Sequence, residues 1–346
     1  MKKLSLLGYF TFSAIFSFSQ WTWQNPLPQG NQLDCIQMID ANTCFASGHG
    51  GTIMKTTNGG INWSVLNSGT TATLSAISLP APNIGFAVGS GGTAIKTNDG
   101  GTSWTLLNTL SNTYLRSLFF SDSTTGCAVG DNGEIIQTTN GGKNWSVQYL
   151  NDLQCNVNCV WIKNADTGYI ALQDGTIAKK VNNISKTWYR QSTRNNNPLY
   201  SLYFFNVDTG YAVGGSGTIL KTNDGGTTWA KLTSGTGKPL YSVSFIDYTT
   251  GYILGDNVIL KTTNGGANWG NQYLDSIGLL LSRSFHDANT GFAVGKYGTI
   301  MKTTDGSANW IKQNHSVTTD RLYPVCFPSP DTGYILSYSG ALLKTM

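Results

Sequence analysis

The sequence has little charge and almost no glutamate. Of its 346 residues 12% are charged, whereas an average soluble protein has about 25%. The net charge of +4 provides no strongly basic field, so we expect no nucleic-acid partner. The single glutamate, Glu134, weakens every enzyme class whose mechanism needs a catalytic glutamate.

Other absences narrow the fold. Only 9 prolines accompany the 41 glycines and no Gly-X-Y period is present, which excludes a collagen-like fibre. A composition with 40% hydrophobic residues and 10 tryptophans differs from that of disordered chains. No sustained helical period occurs, and beyond the first residues no apolar stretch is long enough to span a bilayer. We therefore predict no transmembrane segment in the mature chain.

The first residues have the pattern of a secretory signal. A positive start is followed by a mostly apolar run from Leu4 to Phe18, and small residues predict cleavage after Ser19. The alternative is a membrane anchor, but the run is shorter than the ~20 residues that a span needs. We predict a signal peptide over residues 1–19 and one exported domain over residues 20–346, in the periplasm, at the cell surface or outside the cell.

Tryptophan recurs with a period near 41 residues. It stands at positions 23, 63, 104, 145, 188, 229, 269 and 310. The residues before it agree in most units, as in TNDGGTTW at 222–229, whereas VNNISKTW at 181–188 lacks the glycine pair. A repeat of this length is typical of solenoids and propellers.

Each unit predicts four short strands, A to D. In one unit, strand A is Leu199–Phe204, strand B is 210–214, strand C is 217–222 and strand D begins at Trp229. Apolar alternation and Gly/Asn/Asp turns favour strands, and four of them in 40–45 residues is typical of a β-propeller blade. The A-B-C triplet occurs eight times. We predict an all-β fold, a single eight-bladed propeller closed by a D strand at Trp23 that joins the C-terminal blade.

The turn between strands C and D carries a repeated Asn/Asp-Gly-Gly-x-x-Trp element. The polar side chain can bond its own turn, the glycines permit positive φ, and the tryptophan can be buried. Because one site does not need seven catalytic or metal-binding copies, we predict a structural role. The set is Asn58, Trp63, Asp99, Trp104, Asn140, Trp145, Asp224, Trp229, Asn264, Trp269, Asp305 and Trp310. A lysine near the end of strand C in most units indicates a solvated stripe.

These elements fit Ser/Thr-x-Asp/Asn-x-Gly-x-x-Trp, the Asp box of BNR repeats. The longer unit at 208–229 resembles the photosystem II assembly and stability factor family, and the resemblance covers nearly all of the mature chain. It implies a non-catalytic propeller that holds protein partners while a membrane complex assembles. It also implies seven blades, which is the alternative to our count of eight.

Cysteine and catalytic patterns are weak. The six cysteines occupy unequal repeat positions, so no shared disulfide framework is predicted. Cys127 stands where other units have Phe or Tyr and indicates core filling, while Cys155 and Cys159 either bridge a loop or remain thiols. The three histidines lie in different units without metal-ligand spacing. We predict no catalytic residue, metal or cofactor. A sialidase-like or glycosidase-like carbohydrate-active enzyme and a cell-surface adhesion module are the alternatives.

A variable column at the start of strand A predicts a partner site, because strand A begins at the channel of a propeller. The residue after the first apolar residue of strand A is Asp34, Ser75, Arg116, Asn158, Tyr200, Tyr241, Leu281 or Tyr323. Tyrosine and arginine are enriched at binding hot spots, although the tyrosines could instead pack between blades. The candidate partner-binding residues are Arg116, Arg321, Tyr114, Tyr200, Tyr241 and Tyr323, with Arg190 and Arg194 as a second group. Because arginine binds carboxylates bidentately, we expect the partner to present an acidic segment of a protein. We expect the propeller itself to be monomeric.

Overall fold

The protein is an all-β propeller. The computed structural model describes residues 21–23, 31, 33–40, 43–58, 64–150, 155–180, 188–256, 258–272, 280–285, 291–295, 300–305, 311–312, 322–326, 333–337 and 342–345. Within these ranges the strands form eight four-stranded antiparallel sheets, and four antiparallel strands are the structure of a propeller blade. The all-β prediction is confirmed, whereas the predicted signal peptide lies outside the described residues.

The strands follow the repeat of the sequence. In the N-terminal half they are β1 (Trp21–Trp23); β2 (Leu33–Met38), β3 (Cys44–Gly48), β4 (Ile53–Thr56) and β5 (Ser64–Leu66) in blade 1; β6 (Leu74–Ala81), β7 (Ile84–Gly89), β8 (Ala94–Thr97) and β9 (Thr105–Leu107) in blade 2; β10 (Leu115–Phe120), β11 (Gly126–Gly130), β12 (Glu134–Thr138) and β13 (Ser146–Tyr149) in blade 3; and β14 (Val157–Ile162), β15 (Gly168–Leu172), β16 (Ile177–Lys180) and β17 (Trp188–Gln191) in blade 4.

The C-terminal half continues in the same order. Its strands are β18 (Leu199–Phe204), β19 (Gly210–Gly214), β20 (Ile219–Thr222) and β21 (Ala230–Leu232) in blade 5; β22 (Leu240–Phe245), β23 (Gly251–Gly255), β24 (Val258–Thr262) and β25 (Gly270–Gln272) in blade 6; β26 (Leu280–Phe285), β27 (Gly291–Gly295), β28 (Ile300–Thr303) and β29 (Ile311–Lys312) in blade 7; and β30 (Leu322–Cys326), β31 (Tyr334–Ser337) and β32 (Leu342–Thr345) in blade 8. Short 3-10 helices follow strand B at His49–Gly51, Ser90–Gly92, Asp131–Gly133 and Gly215–Gly217.

The fourth strand of blade 8 comes from the other end of the chain. Strand β1 pairs antiparallel with β32, and Trp21 lies opposite Thr345. In blade 2 Lys96 pairs with Thr105, so the next position in the same register places Thr97 opposite the box tryptophan Trp104. Thr345 is the equivalent of Thr97, and Trp21 therefore occupies the register of a box tryptophan. The sequence assigned that position to Trp23, which was wrong by two residues because the first unit lacks the Gly-Gly turn that sets the phase.

Aromatic side chains join neighbouring blades. Tyr169 of blade 4 is buried and stacks on Phe204 of blade 5, with ring centroids 4.0 Å apart. The edge of Trp229 meets Phe204 at 6.2 Å in a T-shaped contact. Strand B must begin with glycine here, because a Cβ on Gly210 would come within 2.3 Å of the Phe204 ring. Blades 2 and 3, and blades 5 and 6, repeat this arrangement.

The lysine column is not the solvated stripe that the sequence indicated. Lys221 of blade 5 donates a hydrogen bond to the box carbonyl of Gly265 in blade 6 at 2.7 Å, and its ammonium lies 5.3 Å from the centroid of the Tyr211 ring. Burial lowers the pKa of Lys221. The same bond to the next blade is made by Lys55, Lys96 and Lys179. We call this contact the lysine bridge.

Removing one lysine bridge should cost stability. We expect Lys221→Met, which keeps the apolar stem and loses the ammonium, to lower the free energy of unfolding by about 1 kcal/mol, the scale of one hydrogen bond. The measurement is urea unfolding followed by tryptophan fluorescence. Lys231→Met is the matched control, because Lys231 is an exposed residue of the outer strand β21. Equal stability of both variants would contradict the lysine bridge as a stabilising contact.

The boundary between blades 3 and 4 differs from the others. Gln137 takes the place of the bridging lysine, and the Lys180 ammonium of blade 4 donates to the Gln137 side-chain oxygen at 2.5 Å. Cys127 fills the aromatic position and is fully buried, which confirms its predicted core role. Burial raises the pKa of the Cys127 thiol to about 12. Cys155 and Cys159 are free thiols, so the loop-bridging alternative is not what the structure contains.

Candidate functional site

The Asp boxes are committed to their own turns. In blade 5, Thr222 Oγ1 donates to Asp224 Oδ1 at 2.9 Å, and the Thr228 hydroxyl donates to Asp224 Oδ2 at 2.6 Å. The Thr228 amide donates to Oδ1 at 2.9 Å. Asp99 accepts the same three bonds from Thr97 and Ser103. Asn140 and Asn264 accept two of them, from the threonine hydroxyl and from the backbone amide four residues later.

The remaining box residues agree with this reading where the structure describes them. Trp104, Trp145, Trp229 and Trp269 are buried. Asn58 and Asp305 accept from the box threonines Thr56 and Thr303. Trp63 and Trp310 lie outside the described residues. A carboxylate that already accepts several hydrogen bonds has few acceptor positions left for a substrate or a metal. The Asp boxes therefore have the geometry of structural elements.

Box carboxylates should make stability depend on acid. The Thr228 hydroxyl and amide hold the pKa of Asp224 at about 2, and those of Ser103 do the same for Asp99, below the ordinary value of 3.8. Because the folded-state pKa is lowered, this stabilisation is complete above about pH 4 and disappears as the pH falls toward 2. We expect the Asp99→Asn/Asp224→Asn variant to lose less of its melting temperature than wild type between pH 5 and pH 2. Parallel curves for the two proteins would contradict this expectation.

The variable column at the channel has a structural cause. In blade 3 the pairing of β10 with β11 shifts between Leu115 and Ser117, so Arg116 is one extra residue, a β-bulge. The same bulge occurs at Asp34, Ser75, Asn158, Tyr200, Tyr241 and Leu281, and blade 8 has a shift that includes Tyr323. Bulges redirect side chains and are frequent at functional sites. We call these positions the bulge column.

Bulge side chains reach across to the next blade. The Ser75 hydroxyl donates to Leu115 O at 2.5 Å, and Asn158 Nδ2 donates to Leu199 O at 2.9 Å. Because Leu115 and Leu199 begin the innermost strands of the following blades, the bulge column follows the channel wall. The tyrosines of blades 5 and 6 continue it, since the rings of Tyr200 and Tyr241 lie 5.6 Å apart.

A second column, the first residue after strand B, faces the bulge column in three blades. In blade 1 His49 Nε2 lies 3.3 Å from Asp34 Oδ2. In blade 4 Asn158 Nδ2 donates to Gln173 Oε1 at 3.0 Å. In blade 3 Arg116 Nε donates to Asp131 Oδ1 in an ion pair that is about one third exposed on each side. The sequence predicted the bulge column but not these partners, which an alignment on the end of strand B would have indicated.

Arg116 is the centre of the predicted partner site. Its guanidinium lies 5.7 Å from the centroid of the Tyr114 ring, so the structure brings these two predicted residues together. Burial, followed by the negative charge of Asp34, raises the pKa of Tyr114. One of the Arg116 donors is already occupied, however, because Asp131 accepts a hydrogen bond from it. An incoming carboxylate must share or replace Asp131.

The second predicted group lies on the outer strand of blade 4. Arg190 donates to Asp174 Oδ2 at 2.8 Å, and Asp174 was also missed by the sequence analysis. Arg194 has a positive φ of 50° in the connection to blade 5. No described contact joins this group to Arg116. Arg321 and the side chain of Tyr323 lie outside the described residues, so their predicted roles stay predictions.

Glu134 is buried at the start of β12, three residues after Asp131. Its carboxylate accepts hydrogen bonds from Ser111 at 2.7 Å, from Thr113 and from the Tyr149 hydroxyl at 3.1 Å. Ser111 and Thr113 lie in the connection from blade 2 to blade 3, and Tyr149 ends strand D of blade 3, so one carboxylate joins this connection to blade 3. Its hydrogen bonds favour a positioning role over a free general acid or base. Among the described residues there is no cluster of three metal-ligating side chains, and no helix there is long and apolar enough to cross a membrane.

Comparison with solved structures supports the fold. YCF48 bound to D1 peptide is 22% identical with a TM-score of 0.62, and the match covers 80% of this chain and 93% of that one. YCF48 from Cyanidioschyzon merolae is 19% identical with a TM-score of 0.62, covering 94% and 98%. A GH74 enzyme from Niastella koreensis is 14% identical with a TM-score of 0.57, covering 91% and 65%. A search of curated protein sequences finds no match.

Four-stranded blades, Asp boxes with buried tryptophans and a variable channel column define the class, a BNR-repeat β-propeller. The model of the photosynthesis system II assembly factor YCF48 family matches residues 62–153 and 180–277, together more than half of the sequence. The chain belongs to this family, and the resemblance stated from the sequence is confirmed.

Proposed function

We propose that this protein is an exported, non-catalytic propeller that binds a segment of a partner protein at its channel mouth and acts as an assembly scaffold. The observation that supports this proposal is the bulge column. The fold repeats its box turns with little variation, but the bulge position varies, with six residue types in eight blades and tyrosine in three of them. Repetition discriminates poorly between partners, whereas variation around one rim permits specificity.

The proposed partner segment is acidic. Arg116 is exposed, and Tyr114 beside it provides an aromatic surface of the kind found at binding hot spots. Asp131 makes the contact that a partner carboxylate would make. A partner with a single carboxylate therefore exchanges one ion pair for a similar one, and tight binding needs additional contacts.

Family membership supports a protein partner. One YCF48 structure is described as bound to D1 peptide, so a propeller of this family can bind a peptide. For this chain the partner is defined by chemistry, an acidic segment of a protein. A monomeric scaffold is sufficient for such binding.

A random dodecapeptide library displayed on phage tests the proposal. We expect mature protein to enrich acidic sequences, and the corresponding synthetic peptide to lose affinity for Arg116→Ala and to weaken with added salt, because exposed charges are screened. Asp131→Asn should bind up to about fivefold more tightly, since an exposed ion pair contributes about 0.2–1 kcal/mol. Arg190→Ala is the matched control at the second group. Salt-independent binding that survives Arg116→Ala would contradict the proposal, and loss with Arg190→Ala alone would move the site to blade 4.

A carbohydrate-active enzyme is the second candidate, since the GH74 enzyme from Niastella koreensis shares the fold. Its likeness at 14% identity carries no activity to this chain. A glycosidase needs two carboxylic groups at the substrate, but the only glutamate of the sequence accepts three hydroxyl donors. Turnover of sialosides or polysaccharides that is abolished by a channel-face aspartate substitution would favour the enzyme over the scaffold.

A further inference from the structure

The tips of the connections between strands D and A have a left-handed residue. In blades 1 and 5 this residue is glycine, Gly69 with φ 71° and Gly235 with φ 70°. In blade 4 it is the exposed Arg194 with φ 50°, and in blade 2 it is Leu110 with φ 60°, a residue that is 72% exposed. Left-handed backbone is unfavourable for residues other than glycine. An exposed arginine keeps its charged group in water, but an exposed leucine gains nothing from burial, so the fold alone gives no reason for a leucine here.

Leu110 does not stand alone. The ring of Tyr149, at the end of strand D in blade 3, is 54% exposed. Its hydroxyl donates to Glu134, and so does Ser111, which directly follows Leu110. Blades 1, 2, 4 and 5 have threonine at the position of Glu134, namely Thr52, Thr93, Thr176 and Thr218. The single glutamate thus holds both Tyr149 and the connection that carries Leu110.

This pair lies within reach of the proposed carboxylate site. The chain runs from Leu110 through Thr113, which also donates to Glu134, to Tyr114 and Arg116. Six residue steps of extended chain span at most about 20 Å, so a short partner segment can reach both places. Because Asp131 already pairs with Arg116, its replacement by one partner carboxylate changes the binding free energy little. An apolar contact within reach of Arg116 is the kind of additional contact that tight binding requires.

We propose that Leu110 and Tyr149 form an apolar anchor for the acidic partner segment, which places an aromatic or aliphatic side chain on them while its carboxylate binds Arg116. Glu134 is the positioning residue of this anchor. The inference rests on the proposed function, because it uses the same partner segment. It explains why blade 2 keeps a strained, exposed leucine where the equivalent tips of blades 1 and 5 have glycine and that of blade 4 has arginine.

Leu110→Gly separates binding from folding. Glycine relieves the backbone strain, so we expect an unchanged or higher melting temperature together with at least fivefold weaker binding of the dodecapeptide selected on wild type. Phage selection on Leu110→Gly should still enrich acidic residues but lose the apolar position. Gly235→Leu is the matched control, since nothing lies within 4 Å of an added Cβ there. This control should leave affinity for the peptide unchanged.

A second variant tests the positioning residue. Glu134→Thr introduces the residue of the other blades and removes the acceptor that holds Ser111 and Tyr149, so the same peptide should bind more weakly while its salt dependence through Arg116 persists. A merely structural Glu134 would change the melting temperature and leave the apolar position of the selected peptides intact. That result would overturn its positioning role.

The outcomes separate the two proposals. Peptides that depend on Arg116 but bind Leu110→Gly as tightly as wild type overturn the anchor alone. Peptides that depend on Leu110 but not on Arg116 support the anchor and contradict the carboxylate site. A library from which mature protein enriches nothing overturns both.

Discussion

Trp229→Ala is expected to lower the free energy of unfolding by about 3–5 kcal/mol, the cost of truncating a buried aromatic side chain. Trp229 is only 8% exposed and meets Phe204, which in turn stacks on Tyr169 of the preceding blade. The truncation therefore leaves a cavity where two blades join, and the aromatic contacts across the boundary lose their support. Urea unfolding monitored by circular dichroism measures this loss.

Trp229→Phe is the control for this prediction. The indole nitrogen of Trp229 is buried and has no hydrogen-bond acceptor among the described residues, so the indole contributes by packing. Phenylalanine keeps much of that packing and should recover more than half of the loss. If alanine and phenylalanine had equal, small effects, the box tryptophan would not be a core residue.

Removal of the N-terminal strand is expected to have the second large effect. A mature chain that begins at Gln24 lacks β1, so β32 loses its partner and becomes an exposed edge with a row of unsatisfied backbone groups. We expect a melting temperature lower by about 5 °C or more, since several lost kilocalories per mole shift a chain of this size by at least that amount. We also expect association through the exposed edge, which light scattering measures.

Thr22→Ala is the control for the truncation. It keeps the backbone pairing of β1, in which Thr22 lies opposite Lys344, and should melt like wild type. A truncated chain that stays monodisperse and melts at the wild-type temperature would show that the pairing of β1 with β32 contributes little to the fold.

The sequence predicted the fold because the repeat supplies the same signal many times. Strand A of blade 5, Leu199–Phe204, and strand B, Gly210–Gly214, have the predicted bounds. The phase failed at Trp23, where the unit has no Gly-Gly turn to define it. Local patterns thus fixed strands well wherever turn residues marked their ends.

The site was less accessible to sequence reasoning. The variable column was visible, but a bulge depends on the register of two strands, and register is set by pairing across the sheet rather than by local sequence. Asp131 and Asp174 were not predicted as partners of Arg116 and Arg190, because both lie in the connection after strand B, which was not aligned between the blades. Leu110 required a backbone angle, because nothing in its neighbouring residues distinguishes a strained leucine from an ordinary one.

The lysine bridge has a consequence for the way such a propeller can evolve. Each bridge is divided between two repeats, so a duplicated repeat brings a lysine for its successor and a glycine carbonyl for its predecessor. Once one half has been lost by mutation, selection no longer maintains the other. Blades 3 and 4 have the composition expected after such a paired loss, since Gln137 replaces the lysine and 181–188 lacks the glycines. Ancestral reconstruction of these repeats should therefore find both changes on the same branch.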